Sequence, residues 1–235
     1  MGIHYVTYVT HKDGIFDKLI NNDYNLNIDV IGWGQKWNGL MDKMVGYNKY
    51  CRQFPDNDLV VFLDGFDTIV NKDPSQVTAI FNALECEILV SHDVGPNFIF
   101  NYAITRVFGK CKNGNTANSG MIMGRVRSLK PMFEKIIATK AKCDQIGFNM
   151  WCRNNNIEHL KIDTDRVIFE NYRPNKEPRG IFLSYPGGGP ALPMDTRIRR
   201  WLRAIFFEYG HLFIVEIVLL IIILRYLGKK YIWYN

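Results

Sequence analysis

The stretch Val60-Val61-Phe62-Leu63-Asp64-Gly65-Phe66-Asp67 ends an apolar run in two carboxylates separated by a glycine and a phenylalanine. Residues 59–63 read as a strand buried on both faces. Gly65 lets the chain turn at the strand end. Positions three apart on a straight strand point to opposite faces, but on a turn Asp64 and Asp67 can converge on one point. Two carboxylates at the carboxyl end of a central strand suit a hard divalent cation. Such an ion takes oxygen ligands and leaves positions open for phosphate oxygens. Open α/β sheets bind their ligands at that edge. The plainer alternative is a solvated turn whose acids only end the strand.

Three further segments carry chemistry. In Thr116-Ala117-Asn118-Ser119-Gly120-Met121-Ile122-Met123-Gly124, the small residues Ser119 and Gly120 allow close backbone approach, and Asn118 offers a donor and an acceptor. An ordinary turn into a strand explains the same residues. Cys143-Asp144-Gln145 opens a helix with an acid and an amide. Taken alone it reads best as an N-cap. Tyr185-Pro186-Gly187-Gly188-Gly189-Pro190 follows a strand and can close over phosphates through backbone N–H groups, or serve as a linker. An iron site built on His11 and Asp13 finds no distal histidine.

The elements that must position these residues alternate. Strands are expected at residues 3–9, 27–31, 59–63, 87–91, 160–162, 167–169 and 181–184. Helices are expected at 15–19, 76–84, 128–141 and 145–153, and where Met41, Met44, Val45, Asn48 and Cys51 recur at helical spacing. Early alternation of strand and helix predicts an α/β, mostly parallel sheet with helices on both faces.

The chain of 235 residues, 47% hydrophobic and 14% aromatic, is large enough for a packed core and excludes a disordered chain. Its net charge of +6 carries no periodic basic and aromatic patch, so no nucleic-acid partner is expected. The five cysteines are odd in number and show no CxxC spacing, which argues against a disulfide framework and for a reducing compartment. Two domains follow: residues 1–195, and a basic and apolar tail, 196–235. In the tail, residues 205–224 approach the roughly twenty that span a bilayer core. Arg197, Arg199, Arg200 and Arg203 precede them; Arg225, Lys229 and Lys230 follow. Trp201, Tyr231, Trp233 and Tyr234 sit where interfacial aromatics belong. These features predict a membrane-associated, tail-anchored helix with the remaining domain on the cytosolic side. Glu208 and Glu216 weaken a spanning helix and leave open one lying in the interface.

Taken in order, the motifs resemble the glycosyltransferase domain of the procollagen lysyl hydroxylases and related viral enzymes, over roughly residues 5–190. The family's Gly-x-Gly-x-x-Trp stretch, followed by a helical lysine, corresponds to Gly32-Trp33-Gly34-Gln35-Lys36-Trp37 and Lys43. Its Asp-x-x-Asp corresponds to Asp64-Gly65-Phe66-Asp67, and its Leu-Asn-Ser-Gly-Gly-Phe-Ile-Gly to residues 117–124. Its acidic run ending Asp-Gln corresponds to Asp144-Gln145, its Arg-Ile-Phe-Gln-Asn to residues 166–171, and its Gly-Asn-Gly-Pro to residues 187–190. Pro186 stands where the family has a metal-binding histidine, and the acidic run is reduced to Asp144.

The resemblance implies a GT-A-like fold, a UDP-sugar donor and manganese or magnesium bound by Asp67 and Asp64, with a contact to the ribose as the alternative for Asp64. It implies that Trp37 lies against the uracil and that Lys43, Gly187, Gly188 and Gly189 serve the diphosphate. Asn118 and Asp144 would face the transferred sugar, with Asp144 as the candidate base. The acceptor would be a glycan or protein hydroxyl, such as a collagen-like hydroxylysine. The second reading, supported by Pro186, is a membrane-anchored module that binds nucleotide sugar without turnover.

Overall fold

The computed structural model describes residues 2–95, 97–154, 159–173, 176–186 and 210–232. The chain divides into two units, Met1–Leu192 and Pro193–Asn235. In the first, strands β1 (Ile3–Tyr8), β2 (Asp29–Ile31), β3 (Leu59–Asp64), β5 (Ile88–His92), β6 (Ala117–Arg125) and β7 (Leu160–Asp163) form one sheet, ordered β2-β1-β3-β6-β5-β7. The pairs β1–β2, β1–β3 and β5–β7 are parallel, and only β6 runs against its neighbours. A second sheet, β4-β9-β8, is built from β4 (Thr68–Val70), β8 (Phe169–Asn171) and β9 (Phe182–Ser184). The expected α/β class and mostly parallel sheet are what the chain forms.

β3 shows why the apolar run folds as it does. Leu59, Val60, Val61, Phe62 and Leu63 are all fully buried, so both faces of the strand lie in core. Val60 and Phe62 pack with Met44 and Tyr47 of helix α2 (Met41–Cys51), Phe133 of α5 (Val126–Ala138) and Phe148 of α6 (Asp144–Asn154). Leu59, Val61 and Leu63 pack against Leu19 of α1 (Phe16–Ile20), Val77 and Phe81 of α3 (Val77–Ala83), and Phe169 and Phe182 of the second sheet. A strand covered on both faces has no polar alternation to show, which is why it reads as a continuous apolar run.

Three elements were not expected as such. β4 is too short to show periodicity. β6 begins inside the segment that also reads as a turn, and its pairing with β5 jumps from Val90–Ile122 to Ser91–Asn118. α4 (Phe98–Phe108) buries none of its residues; the Asn97 side chain caps it by accepting from Phe100 N. Its sequence is apolar without a clean polar face, so helical periodicity is weak.

The cysteine expectation is corrected. Cys111 and Cys152 form a disulfide with Cα atoms 5.0 Å apart, while Cys51, Cys86 and Cys143 are free and buried. Their separation of 41 residues hides the pair from any local spacing rule.

In the second unit, a short 3-10 turn (Gly210–Phe213) leads into α7 (Ile214–Ile232). Of the expected membrane-associated helix over residues 205–224, the described part is residues 210–224. No helix among the described residues is long and apolar enough to cross a membrane. The uncharged run is residues 217–224, which at 1.5 Å per residue covers about 12 Å of a roughly 30 Å hydrocarbon core. Glu216 on one side and Arg225 on the other close it. Residues 205–209, the four arginines, Trp201, Trp233 and Tyr234 lie outside the described residues.

Candidate active site at the sheet's carboxyl edge

Asp64 is the last residue of β3, level with Tyr8 of β1. Gly65 follows because nothing larger fits. A Cβ there would lie 2.2 Å from Val9 Cγ1 and 2.6 Å from Thr7 Oγ1, so close packing on β1, more than turn conformation, demands glycine. Phe66 N then donates to Asp64 Oδ1 (3.3 Å), which folds the turn back and carries Asp67 to the entrance of β4.

The two carboxylates meet different surroundings. Asp64 Oδ2 pairs with Lys43 Nζ at 3.1 Å, and the same ammonium pairs with Asp144 Oδ2 at 2.8 Å. Lys43 is 7% exposed and Asp144 4%. Burial works against the Lys43 charge, but Asp144 and Asp64 outweigh it and hold the ammonium well above its ordinary value. Burial likewise works against the Asp144 anion, yet Lys43 and a hydrogen bond from Ser119 keep its carboxyl below the usual range. Asp67 forms no ion pair among the described residues and feels Lys43 only at a distance. Its Oδ1 accepts from Ser184 Oγ (3.0 Å), and Tyr185 N donates to its backbone carbonyl (2.7 Å). Burial, and then the charge of Asp64, push the Asp67 carboxyl up to about 8.

Asn118 is 9% exposed, and its Oδ1 accepts from Gly120 N at 2.8 Å, which locks the irregular start of β6. A Cβ on Gly120 would meet Asn118 Oδ1 at 2.8 Å and stand 3.6 Å from Asp64 Cβ. The glycine lets β6 approach the diacid turn closely. Ser91 Oγ donates to Asn118 O (3.0 Å) from the β5 side.

Trp37 is partly exposed and lines a cavity of about 500 Å³ with Thr10, His11, Gly34, Gln35 and Phe66. Phe66 sits between the two acids in sequence, so the cavity opens beside the diacid turn. Its flat aromatic walls suit a nucleobase.

The fold thus brings Lys43, Asp64, Asp67, Asn118 and Asp144 to one edge, with Trp37 in the adjoining cavity. Gly187, Gly188 and Gly189 lie outside the described residues. Pro186 is exposed and offers no ligand atom. Among the described residues no cluster of three His, Cys, Asp or Glu side chains is arranged to hold a metal. Two hard, half-buried carboxylates remain, Asp67 being disfavoured as an anion, and oxygen donors of this kind suit a divalent cation.

Other participants are visible only in three dimensions. Asp93 follows β5, and Gln145 Nε2 donates to its Oδ2 at 2.5 Å. Burial pushes the Asp93 carboxyl up to about 6, against that hydrogen bond. Ser184 and Asn171, on the second sheet, reach the same edge. No local signal separates these residues from ordinary strand ends; Asp93 is marked only by its place next to an apolar strand.

Among solved structures, the chain is similar to a glycosyltransferase involved in the glycosylation of the major capsid of PBCV-1. The TM-score is 0.56 at 10% identity, covering 85% of this chain and 98% of that one. At that identity the likeness speaks for the fold alone. No curated protein matches the chain. The family model described as the PLOD GT domain matches residues 2–179, and with the GT-A-like sheet and its diacid edge already in place, the chain belongs to the family of PLOD glycosyltransferase domains.

Proposed function

We propose that this domain transfers a hexose from a UDP-sugar to a hydroxyl acceptor, with a divalent cation held by Asp64 and Asp67. The observation that carries the reading is the convergence of those carboxylates beside the cavity lined by Trp37 and Phe66. The cation, manganese or magnesium, would supply Lewis-acid stabilisation of the diphosphate leaving group.

The chain's own residues divide the rest of the work. Trp37 and Phe66 hold the base. Lys43, fixed between Asp64 and Asp144, sets a positive charge at the strand edge, where the departing diphosphate gathers negative charge. Asn118 presents its amide to the transferred sugar. Asp144 is the base that the motif suggests, but its pairing with Lys43 makes it a weak one. Asp93, held by Gln145 and pushed up to about 6, is better matched to taking a proton near neutral pH. We therefore assign proton acceptance in an inverting transfer to Asp93, and the fixing of Lys43 to Asp144. Membership in a procollagen lysyl hydroxylase family supports a protein acceptor such as a collagen-like hydroxylysine.

The direct test is release of uridine diphosphate from a panel of UDP-hexoses, with and without manganese. Metal-dependent release that Asp67→Ala removes supports the reading. Donor binding without release from any hexose, with or without a hydroxylysine peptide, supports the non-catalytic module instead.

The tail enters the same proposal in a reduced form. α7 carries exposed apolar side chains from Ile214 to Leu224, too few to span. A helix of that kind is suited to lie in a lipid interface. Flotation of the full chain with anionic vesicles, lost on truncation before Ile214, is the expected result. An unaltered soluble fraction removes the membrane from the account.

A further inference from the structure

Thr68, Ser184 and Asn171 form one row across the second sheet. Thr68 pairs with Ser184, and Ser184 with Asn171. Paired residues on neighbouring strands share a face, and strands lie about 4.8 Å apart. All three are more than nine-tenths buried, at 0%, 2% and 4% exposure. Ser184 spends its hydroxyl on Asp67 Oδ1. The row therefore faces the diacid turn, with Asn171 one strand away from the serine that holds Asp67. Asn171 Nδ2 donates to His92 O at 3.0 Å, tying the second sheet to the end of β5. Its Oδ1 is buried and finds no hydrogen-bond partner. Native structures rarely leave a buried carbonyl oxygen unanswered, and such an exception calls for a partner: a water, an ion or a ligand.

We infer that Asn171 Oδ1 is a protein ligand of the divalent cation held at Asp64 and Asp67. The inference rests on the metal reading proposed above. A hard cation takes six or more oxygens, amide carbonyls among them. Asp64 has one oxygen committed to Lys43, and Asp67 has one committed to Ser184. The two carboxylates cannot fill the coordination sphere. Pro186, two residues beyond Ser184, contributes nothing. A neutral oxygen has an advantage at this point. It adds a ligand without adding a third negative charge to a pair that already repels, so the metal-free protein is spared further strain.

The test uses the full chain with manganese and uridine diphosphate, metal affinity being read by electron paramagnetic resonance. Asn171→Ala should weaken manganese binding by about tenfold or more, and Asn171→Asp, which keeps an oxygen, should not. Both variants lose the hydrogen bond to His92 O, and Asn171→Asp also adds a third buried charge, so its metal-free melting temperature should fall at least as far as that of Asn171→Ala; manganese affinity kept in the Asp variant and lost in the Ala variant is then not a stability effect. Asn171→Cys loaded with cobalt should show a thiolate-to-cobalt charge-transfer band, which only direct coordination produces. Wild-type manganese affinity in Asn171→Ala, or a folded Asn171→Cys that binds cobalt without the band, overturns the inference. Should the cysteine variant not fold, equal affinities in the Ala and Asp variants overturn it. A wild-type chain that binds no manganese with the nucleotide removes the Asp64–Asp67 reading as well. Binding lost in Asp67→Ala but kept in Asn171→Ala removes Asn171 alone.

Discussion

The two acids of one turn live under different electrostatic rules. Asp64 faces the first sheet's helices and meets Lys43 there, and Lys43 in turn meets Asp144: two buried charges and one half-buried charge that largely neutralise one another. Asp67 faces the second sheet, where its carboxylate accepts from the Ser184 hydroxyl and its backbone carbonyl accepts from Tyr185 N, and it forms no ion pair among the described residues. One side of the motif brings its own counter-ion; the other has none built in. A buried anion without a partner is costly. The comparison teaches that a symmetric-looking Asp-x-x-Asp can divide its labour, with Asp64 as part of a structural charge network and Asp67 as the group that most needs an external cation.

Breaking the neutralised side should have the largest effect. Lys43→Ala leaves Asp144 buried without its ammonium, and loss of one partner from a buried pair costs about 3–5 kcal/mol. Chemical denaturation should show that loss at neutral pH. A destabilisation below about 1 kcal/mol, the size of a surface pair, would mean that the Asp64–Lys43–Asp144 network is not the neutralised core described.

On the other side, Asp67→Ala should cost little stability, because it removes a carboxyl that burial and Asp64 both disfavour as an anion. It should instead lower manganese-dependent affinity for uridine diphosphate by about 100-fold or more, consistent with several kcal/mol of metal-mediated stabilisation. Calorimetry with the nucleotide, with and without manganese, reads this directly. If Asp64→Ala and Asp67→Ala behave alike in both stability and binding, the division of labour is wrong.

Asp93 sharpens the comparison through pH. Its carboxyl is pushed up to about 6 by burial. A base must be unprotonated to accept a proton, so kcat should rise as pH passes upward through about 6. Asp93→Asn should remove that limb and lower kcat by about 100-fold, the lower end for general-base catalysis. The stability consequence has the opposite sign. A carboxyl raised in the folded state favours folding below its unfolded value, and that contribution is lost as pH rises through about 6. Asp93→Asn should therefore flatten the fall in stability between about pH 4 and 6. Asp144→Asn should leave the acid limb of kcat in place, and a variant that abolished it would return the base role to Asp144.

The smallest effect is expected in the cavity, away from both acids. Trp37→Ala should weaken uridine diphosphate by roughly tenfold, within the 1–3 kcal/mol that stacking on a base is worth. It should do so equally with and without manganese, since Trp37 touches neither carboxylate. A loss confined to the manganese-bound state would place Trp37 at the metal and not at the base.

Much of this site was legible as residue types in order. The apolar run of residues 59–63, the diacid, the helical Lys43 and the Asn118-Ser119-Gly120 segment each carry local signals, and a buried strand has to show its core residues consecutively. The reason for Gly65 was only half legible: a turn was expected, but contact with Thr7 and Val9 on a neighbouring strand is what excludes a side chain. Periodicity likewise located α2 and β3 but not α4, whose residues bury nothing.

Sequence alone determined the class of fold, the two carboxylates and the family, because strand burial, turn chemistry and motif order are written in consecutive residues. Tertiary structure decided which charges neutralise one another. Lys43 meets Asp64 across 21 residues, and Asp93 meets Gln145 across 52. The disulfide closes 41 residues, and Ser184 reaches Asp67 across 117. No local pattern encodes such pairings, since they depend on where strands and helices come to rest in the packed core. The same holds for the tail: composition marked it as apolar, but only the structure gave the extent of α7, Ile214–Ile232, and with it the charges that fall inside the helix.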